Sequence, residues 1–99
     1  MPVYLISDVT ILDQELYAEY AGQIPALVER YGGRYLVRGG EVVPVAGGWR
    51  PERIILVQFE TMDLVSDFFA CPEYRALVPL RQNSSSSRTI IIEGYDHDL

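Results

Sequence analysis

Four segments rich in β-branched and other apolar residues predict β-strands, at residues 3–11, 34–37, 53–59 and 88–93. Residues 54–57 are apolar without interruption, which favours a central strand buried on both faces. After the second strand, Gly39-Gly40 interrupts the pattern, and residues 41–45 could continue that strand beyond a β-bulge. The first and the last predicted elements are therefore strands.

The three- and four-residue spacing of apolar side chains predicts a helix between the first two strands. Asp13 is a typical N-cap for it, and Gly32-Gly33 stands where a glycine C-cap is expected. Pro25 lies inside this helix and should kink it near the preceding turn.

A second helix is predicted after Thr61, which can cap it. Cys71-Pro72 should break that helix, and Pro72 suits the first turn of a further short helix. Residues 82–87 then read as a polar loop with four consecutive serines. The last five residues, 95–99, form an acidic tail that we expect to be loose or bound to a partner.

The element order βαββαβ predicts an α+β, ferredoxin-like fold in a single domain, residues 1–99 with a core of about 3–94. Two right-handed crossovers place both helices on one face of a four-stranded antiparallel sheet. Alternation in the first strand puts Val3, Leu5 and Val9 on one side and Tyr4, Ile6 and Asp8 on the other, so both faces carry apolar groups.

A sheet that is apolar on both faces but covered on only one predicts a homodimer. We expect two sheets to pack face to face as a dimeric α+β barrel, with a small-molecule pocket in its interior. Asp8, Arg38, Gln58 and Glu60 are expected on the mixed face that lines this interior.

Composition narrows the classes of function. The net charge is -6, with 14 acidic residues against eight arginines and no lysine. A chain without a basic block is a poor binder of nucleic acid or anionic membranes. The pattern of residues leads us to expect no signal peptide, no membrane-spanning segment and a cytoplasmic protein. One Cys and one His exclude an internal disulfide and are too few soft ligands for a typical zinc site, so no metal, haem or other cofactor is expected.

Three separated motifs carry a family resemblance: residues 31–41 (YGGRYLVRGGE), 49–53 (WRPER) and 72–81 with Pro72, Tyr74 and Arg81. Over about residues 3–94 the chain resembles a bacterial family called domain of unknown function thirteen-thirty. The resemblance implies the dimeric α+β barrel superfamily, whose other members include cofactor-free monooxygenases, isomerases and haem enzymes. It implies no catalytic mechanism, since fold alone does not determine function. The run 84–87 departs from the family pattern in its loop.

Arg38, beside Tyr35 and Gly39-Gly40, is the first candidate for ligand binding. If the second strand is regular, Arg34, Leu36 and Arg38 share a face. Arg38 could clamp a carboxylate where the glycines let a ligand approach the backbone. Alternatively, the glycines only permit a bulge and Arg38 pairs with a nearby glutamate.

Asp8 is the second candidate. A carboxylate between apolar residues in a strand needs a partner or a shifted pKa. It could be a general base, or it could pair with an arginine across the sheet.

Trp49 and Gln58 complete the predicted ligand-binding set. Trp49 could close a pocket or cover a partner subunit. The side chains expected to be structural are Tyr17, Tyr20 and Tyr31, as core residues, and Cys71, as an unreactive thiol. His97 is a poor metal ligand in an acidic tail, although it could reach the partner's barrel mouth.

Two hypotheses for the function remain. The first is a cofactor-free enzyme acting on an apolar organic acid or aromatic molecule, and the second is a non-catalytic dimer that binds a ligand or a protein.

Overall fold

The computed structural model describes residues 1–95, so the predictions for His97 and the end of the acidic tail lie outside the described residues. Seven elements follow one another, and their bounds are β1 Val3–Ile11, α1 Gln14–Arg30, β2 Arg34–Arg38, β3 Arg53–Phe59, α2 Met62–Ala70, α3 Pro72–Ser84 and β4 Ser85–Glu93. The strands form one antiparallel sheet in the order β2-β3-β1-β4. The predicted α+β ferredoxin-like fold is confirmed, with a third helix before the last strand.

Helix α1 begins and ends at the residues that the sequence indicated. The Asp13 side chain accepts a hydrogen bond from the backbone N–H of Leu16. At the other end the N–H groups of Gly32 and Gly33 donate to the carbonyls of Glu29 and Val28, which is a Schellman motif. Gly32 has φ +77°, a conformation that residues with a Cβ rarely adopt.

The serine-rich segment is not a loop, and the helix before it is not short. Helix α3 has 13 residues, and β4 begins directly after it. The hydroxyls of Ser84 and Ser85 both donate to the carbonyl of Arg81, at 3.2 and 2.8 Å. That carbonyl also accepts from the backbone N–H of Ser85, so backbone and side-chain bonds together close the helix end where the chain passes directly into β4.

The hydrophobic core lies between the inner strands and the helices. Phe59 on β3 is fully buried and its ring is 5.7 Å from that of Phe68 on α2. Phe68 in turn lies 5.0 Å from Tyr74 on α3. Val3, Leu5 and Val9 of β1 face this core, as the alternation predicted. Strand β3 is an inner strand, as predicted, but only its helix-facing side is buried within one protomer.

Strand β2 contains a bulge, and the bulge places Arg38 on the opposite face of the sheet from the one predicted. Arg34 pairs with Gln58 and Tyr35 with Val57, but the register then shifts, and Val37 pairs with Leu56 and Arg38 with Ile55. The extra residue is Leu36. Arg38 therefore shares the helix-covered face with Ile55, whereas Arg34 lies on the open face. The expectation that Arg34, Leu36 and Arg38 share a face was wrong, because it assumed a regular strand.

The second face of the sheet is open. It carries Ile90 and Ile92 of β4, which are 59% and 51% exposed, and Ile6, Ile54 and Leu56 of the inner strands, which are half-buried. The possible continuation of β2 at residues 41–45 does not occur. No helix within residues 1–95 has the length and apolar character needed to cross a bilayer.

Candidate ligand-binding site

A cavity of about 450 Å³ lies between the sheet and the helices of the single protomer. Its walls are largely apolar and aromatic, and include Leu5, Val9, Ile24, Val57 and Phe69. Its volume falls within the range of about 300–1,000 Å³ typical of small-molecule sites. The cavity is therefore on the helix-covered side of the sheet, whereas we expected a pocket between two facing sheets.

Three arginines line this cavity: Arg38 on β2, Arg53 on β3 and Arg81 on α3. Within residues 1–95, no aspartate or glutamate lines it, and none lies within 4.0 Å of these guanidinium groups. The two ion pairs of the described chain, Arg30–Glu73 and Arg88–Asp8, lie elsewhere. A cluster of uncompensated positive charge in an acidic protein favours an anionic ligand.

Arg38 is held by an unpaired carbonyl of α1. Pro25 has no N–H, so the carbonyl of Ala21, four residues earlier, lacks its usual helical donor. Arg38 Nη2 donates to that carbonyl at 2.8 Å. The guanidinium also lies over the ring of Tyr35, 5.2 Å from its centroid. Pro25 thus leaves the Ala21 carbonyl free to accept from Arg38, and this bond positions Arg38 at the cavity rim.

Arg53 is packed against Gly39. A Cβ at Gly39 would lie 2.0 Å from Arg53 Nη1, and Gly39 itself has φ +75°. The Arg53 guanidinium also lies 5.7 Å from the ring centroid of Tyr17 on α1. We expected the paired glycines to let a ligand approach the backbone. In the structure the group that approaches Gly39 is the side chain of Arg53.

Arg81 approaches the cavity from the opposite edge of the sheet. Its Nη1 donates to the hydroxyl of Ser87 on β4 at 3.1 Å. The Nε atoms of Arg81 and Arg53 are both buried without a hydrogen-bond partner.

Tyrosine hydroxyls supply further donors. Burial raises the pKa of Tyr20 well above its usual value, against the opposing effect of Arg81. Burial also raises the pKa of Tyr35, although the nearby Arg38 favours ionisation. Both phenols therefore stay protonated at neutral pH and act as hydrogen-bond donors, not as bases. On the cavity floor, the hydroxyls of Ser7 and Thr89 are 2.8 Å apart across β1 and β4.

Asp8 lies on the open face, away from the cavity. Its Oδ2 accepts hydrogen bonds from Arg88 Nη2 at 2.6 Å and from Trp49 Nε1 at 3.1 Å. These two bonds lower the pKa of Asp8, with burial opposing them. Arg88 is its partner across the sheet, so the geometry is that of the structural ion pair, one of the two alternatives considered.

The predicted site residues therefore divide between two surfaces. Tyr35 and Arg38 line the cavity, whereas Asp8, Trp49 and Gln58 lie on the opposite side of the sheet. The placement of Arg38 beside Asp8 and Gln58 was wrong because of the bulge in β2. Asp8 and Arg38 neither bond to each other nor share an enclosed site.

The remaining candidates have structural contacts. Tyr17 and Tyr20 line the cavity, with ring centroids 5.9 Å apart. Tyr31 packs edge-on against Phe68 instead. The buried Cys71 caps α3 by accepting from the N–H of Tyr74 at 3.4 Å. Within residues 1–95, no three side chains of the metal-ligating types come together.

Comparison with known proteins identifies the family. The family model "Domain of unknown function (DUF1330)" matches residues 2–95. The chain belongs to the DUF1330 family. No curated protein matches the chain.

Solved structures place the DUF1330 fold among small ferredoxin-like proteins. A protein of unknown function from Rhodopseudomonas palustris superposes with a TM-score of 0.80 at 19% identity, over 96% of this chain and 83% of that one. SnoaB, a cofactor-independent oxygenase from Streptomyces nogalater, gives 0.68 at 9% identity, over 96% and 94%. A dimeric ferredoxin-like protein of unknown function from Bacteroides fragilis gives 0.63 at 16% identity, over 94% and 96%. At these identities the similarity shows the fold alone.

Two of the three cavity arginines in this DUF1330 protein, Arg53 and Arg81, were not among the residues predicted to bind a ligand. Arg53 precedes Ile55, Val57 and Phe59 at two-residue spacing, so the predicted strand already placed it on their face. Arg81 follows Tyr74 by seven residues, which puts both on one side of a helix. The signal was a charged residue at the end of an otherwise apolar face.

Proposed function

We propose that this DUF1330 protein binds a small, largely apolar organic acid in the cavity between its sheet and helices. The observation that carries the proposal is the lining itself, which combines apolar and aromatic walls with three arginines and, within residues 1–95, no carboxylate. An aromatic or aliphatic body fits the walls, and a carboxylate or enolate supplies the missing acceptors.

Within the described lining there is no aspartate, glutamate, histidine or cysteine to remove a proton. The phenols of Tyr20 and Tyr35 are held protonated by burial. This donor-rich lining favours binding and stabilisation of an anion over general-base catalysis. We therefore place ligand binding first, and a cofactor-free reaction, suggested by the fold of the Streptomyces oxygenase, second.

Calorimetric titration with biphenyl-4-carboxylate, compared with the uncharged biphenyl-4-methanol, tests the proposal. We expect the acid to bind at least about tenfold more tightly, since a charged hydrogen bond contributes about 1.5–3 kcal/mol. Arg38→Gln should remove much of this preference and change the melting temperature little, because Arg38 is exposed and its acceptor can be hydrated. Arg75→Gln, on α3 outside the cavity lining, is the matched control. Equal affinities for acid and alcohol would contradict the proposal.

We also propose that two protomers pair through the open face of the sheet. The exposed Ile90 and Ile92 lie beside the half-buried apolar residues of the inner strands, a pattern typical of an interface. The Bacteroides neighbour is described as dimeric, which supports the formation of a dimer.

Light scattering after size exclusion should report about twice the chain mass of 11.2 kDa. Ile90→Asp should give a monomer, because it buries a charge in the proposed interface. Leu12→Asp, at a similarly exposed position outside the sheet face, should leave the dimer intact. A monomeric wild-type protein at micromolar concentration would refute the pairing.

A further inference from the structure

We infer that the ligand carries two acidic groups, one at each end of an apolar body, and that the cavity holds them at two separate positive sites. This inference rests on the proposed binding function and deepens it. The first site is formed by Arg38 and Arg53, and the second by Arg81 with Ser87.

The register of the sheet separates the two sites. Arg53 on β3 pairs with Val9 on β1, and Val9 pairs with Ser87 on β4. Arg53 and Ser87 therefore lie at the same level of the sheet, on the two strands that flank β1. Neighbouring strands are about 4.8 Å apart, so the backbones at these two positions are about 10 Å apart.

The Arg53 side chain increases this separation. The Arg53 guanidinium packs on Gly39, which bonds to Ile54 on the β2 side of β3 and so faces away from β4. The Arg81 guanidinium is tied to Ser87 on β4. One carboxylate cannot bridge groups placed in this way, because its two oxygens are only about 2 Å apart and a hydrogen bond adds about 2.9 Å at each end.

Each site has its own aromatic neighbours. Tyr17 and Tyr35 flank the first site. At the second site the charge of Arg81 acts on the phenol of Tyr20, which also lines the cavity. Between the two sites the floor is Val9, an apolar surface that suits a ring or an alkyl chain.

A single carboxylate should prefer the first site. Two arginines line the cavity there, whereas Arg81 alone lines it at the second site. A second carboxylate at the far end of the same molecule should then add its own charged hydrogen bonds at Arg81.

Titrations with biphenyl-4-carboxylate and biphenyl-4,4′-dicarboxylate test this inference. The two probes share one rigid frame and differ by a single acidic group. We expect the dicarboxylate to bind about tenfold more tightly or better, since a charged hydrogen bond is worth about that factor.

Arg81→Gln should reduce the affinity for the dicarboxylate to that for the monocarboxylate and leave the latter unchanged. Arg53→Gln should weaken both probes, and Arg75→Gln should weaken neither. Thermal melts establish that each variant is folded, and the comparison of probes on the unmodified protein needs no variant at all.

The outcomes separate the two proposals. If the monocarboxylate binds and the dicarboxylate binds no better, or if Arg81→Gln weakens both equally, the second site is refuted while the binding function stands. If neither acid binds more tightly than biphenyl-4-methanol, the proposed function fails and this inference fails with it.

Discussion

Gly39→Ala should damage both the stability of the protein and its anion site, through two separable effects. The first is backbone strain, since Gly39 has φ +75° and the left-handed region costs an L-residue with a Cβ about 1–2 kcal/mol. The second is a collision, since the new Cβ would lie 2.0 Å from Nη1 and 2.5 Å from Cζ of Arg53. The Arg53 guanidinium must therefore move away from Gly39.

Moving Arg53 removes its contact with the ring of Tyr17, which is worth about 0.5–2 kcal/mol according to how far it is desolvated. The two effects together predict a loss of about 1.5–4 kcal/mol in the free energy of unfolding. For a domain of this size that corresponds to a melting temperature lower by about 4–8 °C for each kcal/mol. The affinity for biphenyl-4-carboxylate should also fall, because one of the two guanidinium groups at the first site is displaced.

Two other glycines separate strain from collision. Gly47 has φ +80°, and no atom lies within 4 Å of the position that a Cβ would take there, so Gly47→Ala carries only the strain. Gly40 has neither a positive φ nor a close neighbour, so Gly40→Ala should be nearly neutral. Urea unfolding and calorimetric titration of the three variants measure both effects. Equal losses for Gly39→Ala and Gly47→Ala, with unchanged affinity in both, would refute the packing of Arg53 on Gly39.

Three further predictions concern the core and two titrating groups. Phe59→Ala should cost about 3–5 kcal/mol in urea unfolding, because the ring is fully buried against Phe68, and a loss below about 1 kcal/mol would contradict the core assignment. The lowered pKa of Asp8 stabilises the folded state at neutral pH, and this contribution should vanish as pH falls below 3.8. The fluorescence of Trp49, the single tryptophan, should change over the same pH range in the wild-type protein and should not change in Asp8→Asn. Because the pKa of Tyr20 is raised, its contribution to the stability of the folded state is complete below pH 10.0 and is lost as the pH rises above that value. The midpoint of alkaline unfolding should therefore shift upward in Tyr20→Phe. A midpoint that stays in place would contradict the burial of this phenol.

Local signals in the sequence determined most of the secondary structure and the fold. The ends of β1, α1 and β3 follow from alternation, an N-cap aspartate and a glycine C-cap, all of which act within a few residues. The order of these elements then leaves few ways to build a sheet, because crossovers are right-handed and helices need an apolar face to cover.

The tertiary structure alone decided which polar side chains meet. One extra residue, Leu36, turns Arg38 from the open face to the cavity, and no pattern within the short β2 revealed it. The carbonyl that holds Arg38 belongs to α1, 17 residues earlier, and is free only because Pro25 lacks an N–H. Asp8 and Arg88 are 80 residues apart in the chain and meet only through the pairing of β1 with β4. Periodicity describes one element at a time, whereas a binding site depends on the register between elements.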